Sequence, residues 1–177
     1  HINPANVAIA AALDALHSGE VDLAIAGGAD ELCEITYAGF NSLRAIDSEP
    51  TRPFRADRKG LLMGEGAGVL LLERRSHAEA RGATVLAELV SAGRSCDANH
   101  VSAPDPEGRG AATAIRQALQ EGGLVPADIT FVNAHGTGTP HNDVSESKAM
   151  HAVFGERARS LPITSTKSMV GHLLGAA

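Results

Sequence analysis

Apolar residues fall in short blocks punctuated by glycine- and proline-bearing turns, and the blocks alternate between helix-like and strand-like runs. Residues 6–19 form an Ala-rich run, apolar on nearly every face and closed by Gly19, which predicts a buried helix. Residues 21–28 are a short apolar run ending in a glycine pair, which predicts a central strand stopping where the backbone turns sharply. Residues 41–60, rich in Pro, Arg and Asp, read as an irregular loop. They are followed by a glycine-rich stretch, a strand at 69–73 and a short charged helix at 76–81. A second cycle then begins with a strand at 85–92 and a polar turn holding Asp97, Asn99, Pro104 and Pro106. It continues with a helix at 109–121, a loop at 124–128 and a strand at 129–134. A helix over roughly 143–154 and a strand at 162–166 follow, and Gly175-Ala176-Ala177 reads as the opening of another helix. Helices alternating with buried strands imply α/β layers. The charged stretch 73–82 is the expected boundary, separating residues 1–75 from 76–177.

Composition narrows the function classes. The chain has 177 residues, 44% hydrophobic and 20% charged, which is enough for one domain with a sizeable core. Only 3% is aromatic and the net charge is -6, so neither a base-stacking platform nor a basic footprint for nucleic acid is present. No apolar run approaches the roughly 20 residues needed to span a bilayer, and the first residues do not form a secretory signal. A cytoplasmic location is expected, with Cys33 and Cys96 unbridged and buried as small hydrophobes.

Candidate chemistry concentrates on two histidines. His135 lies in Asn133-Ala134-His135-Gly136-Thr137-Gly138-Thr139-Pro140 and His172 in Lys167-Ser168-Met169-Val170-Gly171-His172. Each follows a predicted strand and opens a turn, where open α/β sheets place their ligand sites. Gly136 and Gly138 allow close backbone approach, and Thr137 and Thr139 supply hydroxyls suited to an extended polar substrate arm. Lys167 would anchor a carboxylate or, as a fixed cation, keep a nearby imidazole neutral. The other histidines read as surface or packing residues. A zinc site from His135, His141 and Asp143 is disfavoured because Pro140 intervenes and no further ligand is close, so no metal is expected. Gly64-Glu65-Gly66-Ala67-Gly68 lacks the Lys-Ser/Thr of a phosphate loop and precedes a strand, so close backbone packing is its better account. Arg52, Arg55, Arg58 and Lys59 read as a solvated loop or as a dock for an acidic carrier protein.

The two histidine motifs, with Ala26-Gly27-Gly28-Ala29-Asp30, Arg52-Pro53-Phe54 and Gly64-Glu65-Gly66-Ala67-Gly68 in the same order and spacing, resemble those of the β-ketoacyl synthases. The likeness runs from about Asn6 to Ala177 and is nearest to the type II fatty-acid elongation synthases. It implies the thiolase-like fold, an α/β/α/β/α layered sandwich of two similar halves. This chain would hold the end of the first half and most of the second. It implies decarboxylative condensation of an acyl thioester with malonyl-acyl carrier protein in fatty-acid or polyketide synthesis. No cofactor is implied beyond the carrier's own phosphopantetheine, and a homodimer is. By the resemblance His135 and His172 polarise the malonyl thioester carbonyl, Lys167 supports them, and Thr137 and Thr139 hold the phosphopantetheine arm.

The nucleophilic cysteine of the family would fall near Ile2, within His1-Ile2-Asn3-Pro4-Ala5, and the family's Gly/Phe-rich closing loop would follow Ala177. Either the first five residues are foreign or the chain is a segment, and alone it is expected not to condense. Cys33 is not expected to substitute, having no small-residue turn at a helix start, and Cys96 has only Arg94 to lower its pKa. Three alternatives stay open. The chain resembles a catalytically incomplete partner of the chain-length-factor or malonyl-decarboxylase kind, whose histidines are commonly altered. It also resembles a coenzyme A-dependent thiolase-type enzyme. A non-catalytic carrier-binding module is the last.

Overall fold

The computed structural model describes residues 4–177. Helix α1 (Pro4–His17) leads into strand β1 (Leu23–Asp30), followed by helix α2 (Glu34–Ser42) and strand β2 (Gly66–Glu73). β1 and β2 pair antiparallel from Leu23↔Glu73 to Asp30↔Gly66, and α1 packs on this ribbon. Helix α3 (Arg75–Ala80) closes this part, its Arg81 cap tied to Glu73 at 2.7 Å. After a long irregular stretch come helix α4 (Arg109–Glu121), strand β3 (Val132–Asn133), helix α5 (Pro140–Phe154), strand β4 (Ile163–Thr164) and the short helix α6 (Lys167–Val170). β3 and β4 pair in parallel, with α5 as the crossover between them. The core of this second part is Met150, Phe154 and Leu161, with Ile115, Ile129 and Val132 against them.

Local chemistry explains the helix limits. α4 starts after Gly108, whose φ of 66° is left-handed, and the Asp105 carboxylate accepts the N–H groups of Glu107 at 3.1 Å and Arg109 at 3.3 Å. Pro140 sits at the first turn of α5, where its missing N–H costs nothing, so this helix begins three residues before the patterned start.

Several expectations are corrected. β1 does not stop at Gly27-Gly28; it runs two residues beyond, to Asp30. The glycine is needed there for a different reason: a Cβ on Gly28 would lie 1.8 Å from the Gly175 carbonyl oxygen, so the strand is bare where the C-terminal turn packs on it. α1 is not buried all round; Ala5, Ala10, Leu13 and Leu16 are buried, whereas Val7 is exposed. α2 was not legible at all, because none of its residues is buried and no apolar stripe marks it. Residues 85–92 form no regular element and have no strand partner among the described residues, where a strand was expected. Cys33 is half-buried and Cys96 exposed, rather than both buried. Cys33 is the residue preceding α2, flanked by Glu31, Leu32 and Glu34 rather than by a small-residue turn. The chain closes in a short 3-10 turn, Leu174–Ala176. Among the described residues no helix is long and apolar enough to cross a membrane.

Candidate active site

His135 lies just beyond β3, and His172 just beyond α6. The backbone of His172 is clamped between residues of the loop before β2: its N–H donates to Leu62 O at 2.8 Å and its C=O accepts from Gly64 N–H at 3.0 Å. The β3–β4 pairing, with Thr166 N–H donating to Asn133 Oδ1 at 3.3 Å, brings the two motifs together. The two imidazoles meet edge to face, with centroids 5.3 Å apart and planes at 88°. Phe40 of α2 lies against the His172 ring at 6.4 Å.

The environment fixes the protonation of both rings. Burial, reinforced by the Lys167 ammonium and by His172, pushes His135 down to about 3. Burial and then Lys167 push His172 down to about 4. Lys167 is itself buried and lowered by desolvation, with Glu146 acting in the opposite direction. Both rings are therefore neutral near pH 7. For His172 the tautomer is fixed as well: Nδ1 accepts the Leu174 backbone N–H at 3.0 Å, so the proton resides on Nε2. A neutral imidazole that presents Nε2–H donates a hydrogen bond to developing negative charge without first having to lose a charge of its own.

Residues not singled out in the sequence hold the His135 turn. The Glu146 carboxylate, one turn into α5, accepts His135 N–H at 2.6 Å, Gly136 N–H at 2.8 Å and the Asn142 side-chain amide at 3.3 Å. Burial raises its pKa against these hydrogen bonds. Asp143 accepts Phe54 N–H at 2.7 Å and Gly138 N–H at 3.2 Å, with Arg58 Nε at 3.5 Å. Ser165 donates to the Gly136 carbonyl at 3.1 Å. The one available signal was the spacing of Asn142 and Glu146 at i and i+4, which places two polar groups on one face of a helix.

Gly136 and Gly138 have φ of 45° and 74°. What approaches them is the chain's own 51–60 loop and Ser165: a Cβ on Gly138 would lie 2.8 Å from Gly60 O, and one on Gly136 2.6 Å from Ser165 Cβ. The Thr137 and Thr139 hydroxyls are 2.8 Å apart, Thr137 buried and Thr139 half-buried. Asp143 is thus occupied by backbone donors, and His141 is exposed. The arginines between 52 and 58 are largely neutralised internally: Arg52 pairs with Asp47, Glu49 and Asp57, and Arg55 with Asp57. The position near Ile2 lies outside the described residues.

The scaffold, in which the half-buried His135 just beyond β3 meets the buried His172 just beyond α6, is a fragment of the thiolase-like, mixed α/β ketosynthase fold. The chain belongs to the β-ketoacyl synthase family: the N-terminal domain of that family matches residues 5–78 and the C-terminal domain residues 86–177. It is 43% identical over 174 residues to 3-oxoacyl-[acyl-carrier-protein] synthase 2 of Staphylococcus aureus, a match covering 95% of this chain and 43% of that protein. Among solved structures it is similar to the ishigamide ketosynthase/chain length factor, with a TM-score of 0.93 and 44% identity over 99% of this chain and 42% of that one. It is also similar to a type II polyketide acyl-carrier protein in complex with its ketosynthase bound to the hexaketide, with a TM-score of 0.93 and 34% identity over 97% of this chain and 44% of that one. The chain therefore spans less than half the length of the relatives it matches.

Proposed function

We propose that this chain carries the decarboxylation site of a β-ketoacyl-acyl carrier protein synthase, which condenses an acyl thioester with malonyl-acyl carrier protein in fatty-acid or polyketide synthesis. The observation that supports it most is the tautomer of His172, whose Nδ1 takes the Leu174 N–H and leaves Nε2–H to donate. His172 and His135 bind the malonyl thioester carbonyl oxygen. The bond from C2 to the carboxylate breaks, CO2 leaves, and its electron pair becomes the enolate, whose oxygen the imidazoles stabilise. The C2 carbanion attacks the carbonyl carbon of an acyl group held as a thioester on a cysteine that these residues do not supply. The carbon–carbon bond forms, and the tetrahedral adduct expels the cysteine thiolate to give the 3-oxoacyl carrier thioester. Lys167 keeps both imidazoles neutral. Thr137 and Thr139 hold the phosphopantetheine arm, and no metal takes part. The partners are an acyl carrier protein and a second synthase protomer.

The test is a chimera in which this chain replaces the matched region of the Staphylococcus aureus synthase. Given malonyl-carrier protein, it should release CO2, and His172→Ala should slow that release by about 10²–10³-fold. Equal rates with and without His172 would refute the reading. If His135→Ala altered only carrier binding, the chain would be a binding module.

A further inference from the structure

His135 stands just past the last rung of its strand, where side chains take over from the sheet. Pairing of β3 with β4 ends with Ala134 N–H donating to Thr164 O at 2.7 Å. The next two N–H groups, of His135 and Gly136, go to the Glu146 carboxylate at 2.6 and 2.8 Å. Their carbonyl oxygens go to Ser165, whose Oγ donates to His135 O at 3.3 Å and Gly136 O at 3.1 Å. Ser165 is 5% exposed, and its own carbonyl accepts the Ser168 N–H at 3.3 Å and hydroxyl at 2.9 Å. That turn opens α6, which carries Lys167 and leads to His172. The bare face of Gly136 is filled by two side chains: a Cβ there would lie 2.6 Å from Ser165 Cβ and 3.2 Å from Cε2 of the Phe54 ring. Phe54 has φ of 61°, a left-handed conformation that is an outlier for a bulky residue, and its N–H is tied to Asp143 at 2.7 Å. Glycine takes that φ freely, so what the site gains at position 54 is the ring.

We infer that Ser165 and Phe54 are positioning residues, which lock the His135–Gly136 peptide and so set the His135 imidazole at its 5.3 Å edge-to-face contact with His172. Two hydrogen bonds to the one Glu146 carboxylate define an axis about which the turn can still tilt. A donor on the carbonyl side and an aromatic ring on the open face oppose that tilt. Because Ser165 also opens α6, one residue registers the His135 turn against the segment that ends in His172. The bearing on rate rests on the decarboxylation proposed above. Two imidazoles that share one oxygen have to hold their geometry within about 0.5 Å, and a displacement of about 1 Å costs on the order of 10²-fold. A role in stability alone would lower the melting temperature and leave the ring geometry and turnover of the folded enzyme unchanged.

The experiment uses the chimera with the Staphylococcus aureus synthase, carrying Ser165→Ala or Phe54→Gly, with Phe54→Tyr as the conservative variant. Crystal structures of Ser165→Ala and Phe54→Gly should show the His135–His172 centroid separation changed by about 0.5 Å or more, or His135 in two conformers. Given malonyl-carrier protein, both variants should lose about tenfold or more in kcat for CO2 release, with KM within about twofold of wild type. Phe54→Tyr keeps the ring and should recover most of the rate lost by Phe54→Gly. Rings unmoved in a folded variant overturn the assignment of that residue, as do moved rings with unchanged kcat. A raised KM with kcat unchanged also overturns it, since the residue then acts in binding. The two residues lie in different loops, so failure of one variant to fold leaves the other decisive. If the unsubstituted chimera releases no CO2, the decarboxylation reading fails by itself, and the ring separation still decides whether Ser165 and Phe54 position His135.

Discussion

Glu146 accepts the backbone N–H of His135 at 2.6 Å, from eleven residues away along the chain. The carboxylate therefore sets the position of the histidine through its backbone and leaves the imidazole for other work. Glu146→Ala strands two buried N–H groups, those of His135 and Gly136, and should cost about 2–4 kcal/mol. Glu146→Gln keeps one acceptor oxygen and should cost less. The urea midpoints of the two variants, followed by circular dichroism, give the comparison. Equal midpoints for Ala and wild type would show that these bonds contribute nothing net.

Both histidines should stay neutral far below the ordinary imidazole value. Folded, they take up protons only at about 3 for His135 and about 4 for His172, against 6.5 for an unperturbed ring. Between those limits the unfolded chain binds more protons than the folded one. Stability should thus fall as the pH is lowered from about 6.5 toward about 3, and these two groups should have no effect above about 6.5. Nitrogen-15 NMR of the imidazoles measures this directly. Titration of either ring near 6.5 in the folded chain would mean that it is not buried as described.

Asp143 ties the loop at residues 51–60 to the Gly136–Gly138 turn through Phe54 N–H and Gly138 N–H. Its side chain is 1% exposed, so Asp143→Ala removes the buried counter-charge of Arg58 and leaves two backbone donors without their acceptor. The expected loss is about 3–5 kcal/mol, with Asp143→Asn recovering part of it. Thermal unfolding of the two variants would rank them.

Two glycines should respond oppositely to the same substitution. Gly138 has φ of 74° and no room for a methyl group, so Gly138→Ala should destabilise by about 1–3 kcal/mol. Gly39, inside α2, faces open space, and Gly39→Ala should stabilise by about 0.5–1 kcal/mol. Denaturation midpoints that moved in the same direction would contradict this account.

Much of the scaffold was legible because it obeys local rules. The helix expected at 109–121 is α4, Arg109–Glu121, and the helix expected to end at 154 is α5, which ends at Phe154. The polar face of α5 was not. Asn142, Asp143, Ser145 and Glu146 are buried, yet hydrophilic positions on a helix ordinarily face water; they turn inward because the backbone donors of the His135 turn and of Phe54, and the Asp105 carbonyl, meet them there. The internal pairing of the arginines at 52–58 was not legible either. Their partners Asp47, Glu49 and Asp57 are near in sequence, but pairing depends on how the loop folds back.

By itself the sequence determined the family, the order of most helices and strands, and the two turns that carry His135 and His172, since each follows from short-range pattern and residue type. Tertiary structure alone decided that these turns meet, because they are joined by the β3–β4 pairing, by Ser165 to the Gly136 carbonyl and by Thr166 N–H to Asn133 Oδ1, between residues some thirty positions apart. It also decided the state of the rings. Desolvation depends on what surrounds a group in three dimensions, and the tautomer of His172 depends on one N–H, that of Leu174, arriving at Nδ1.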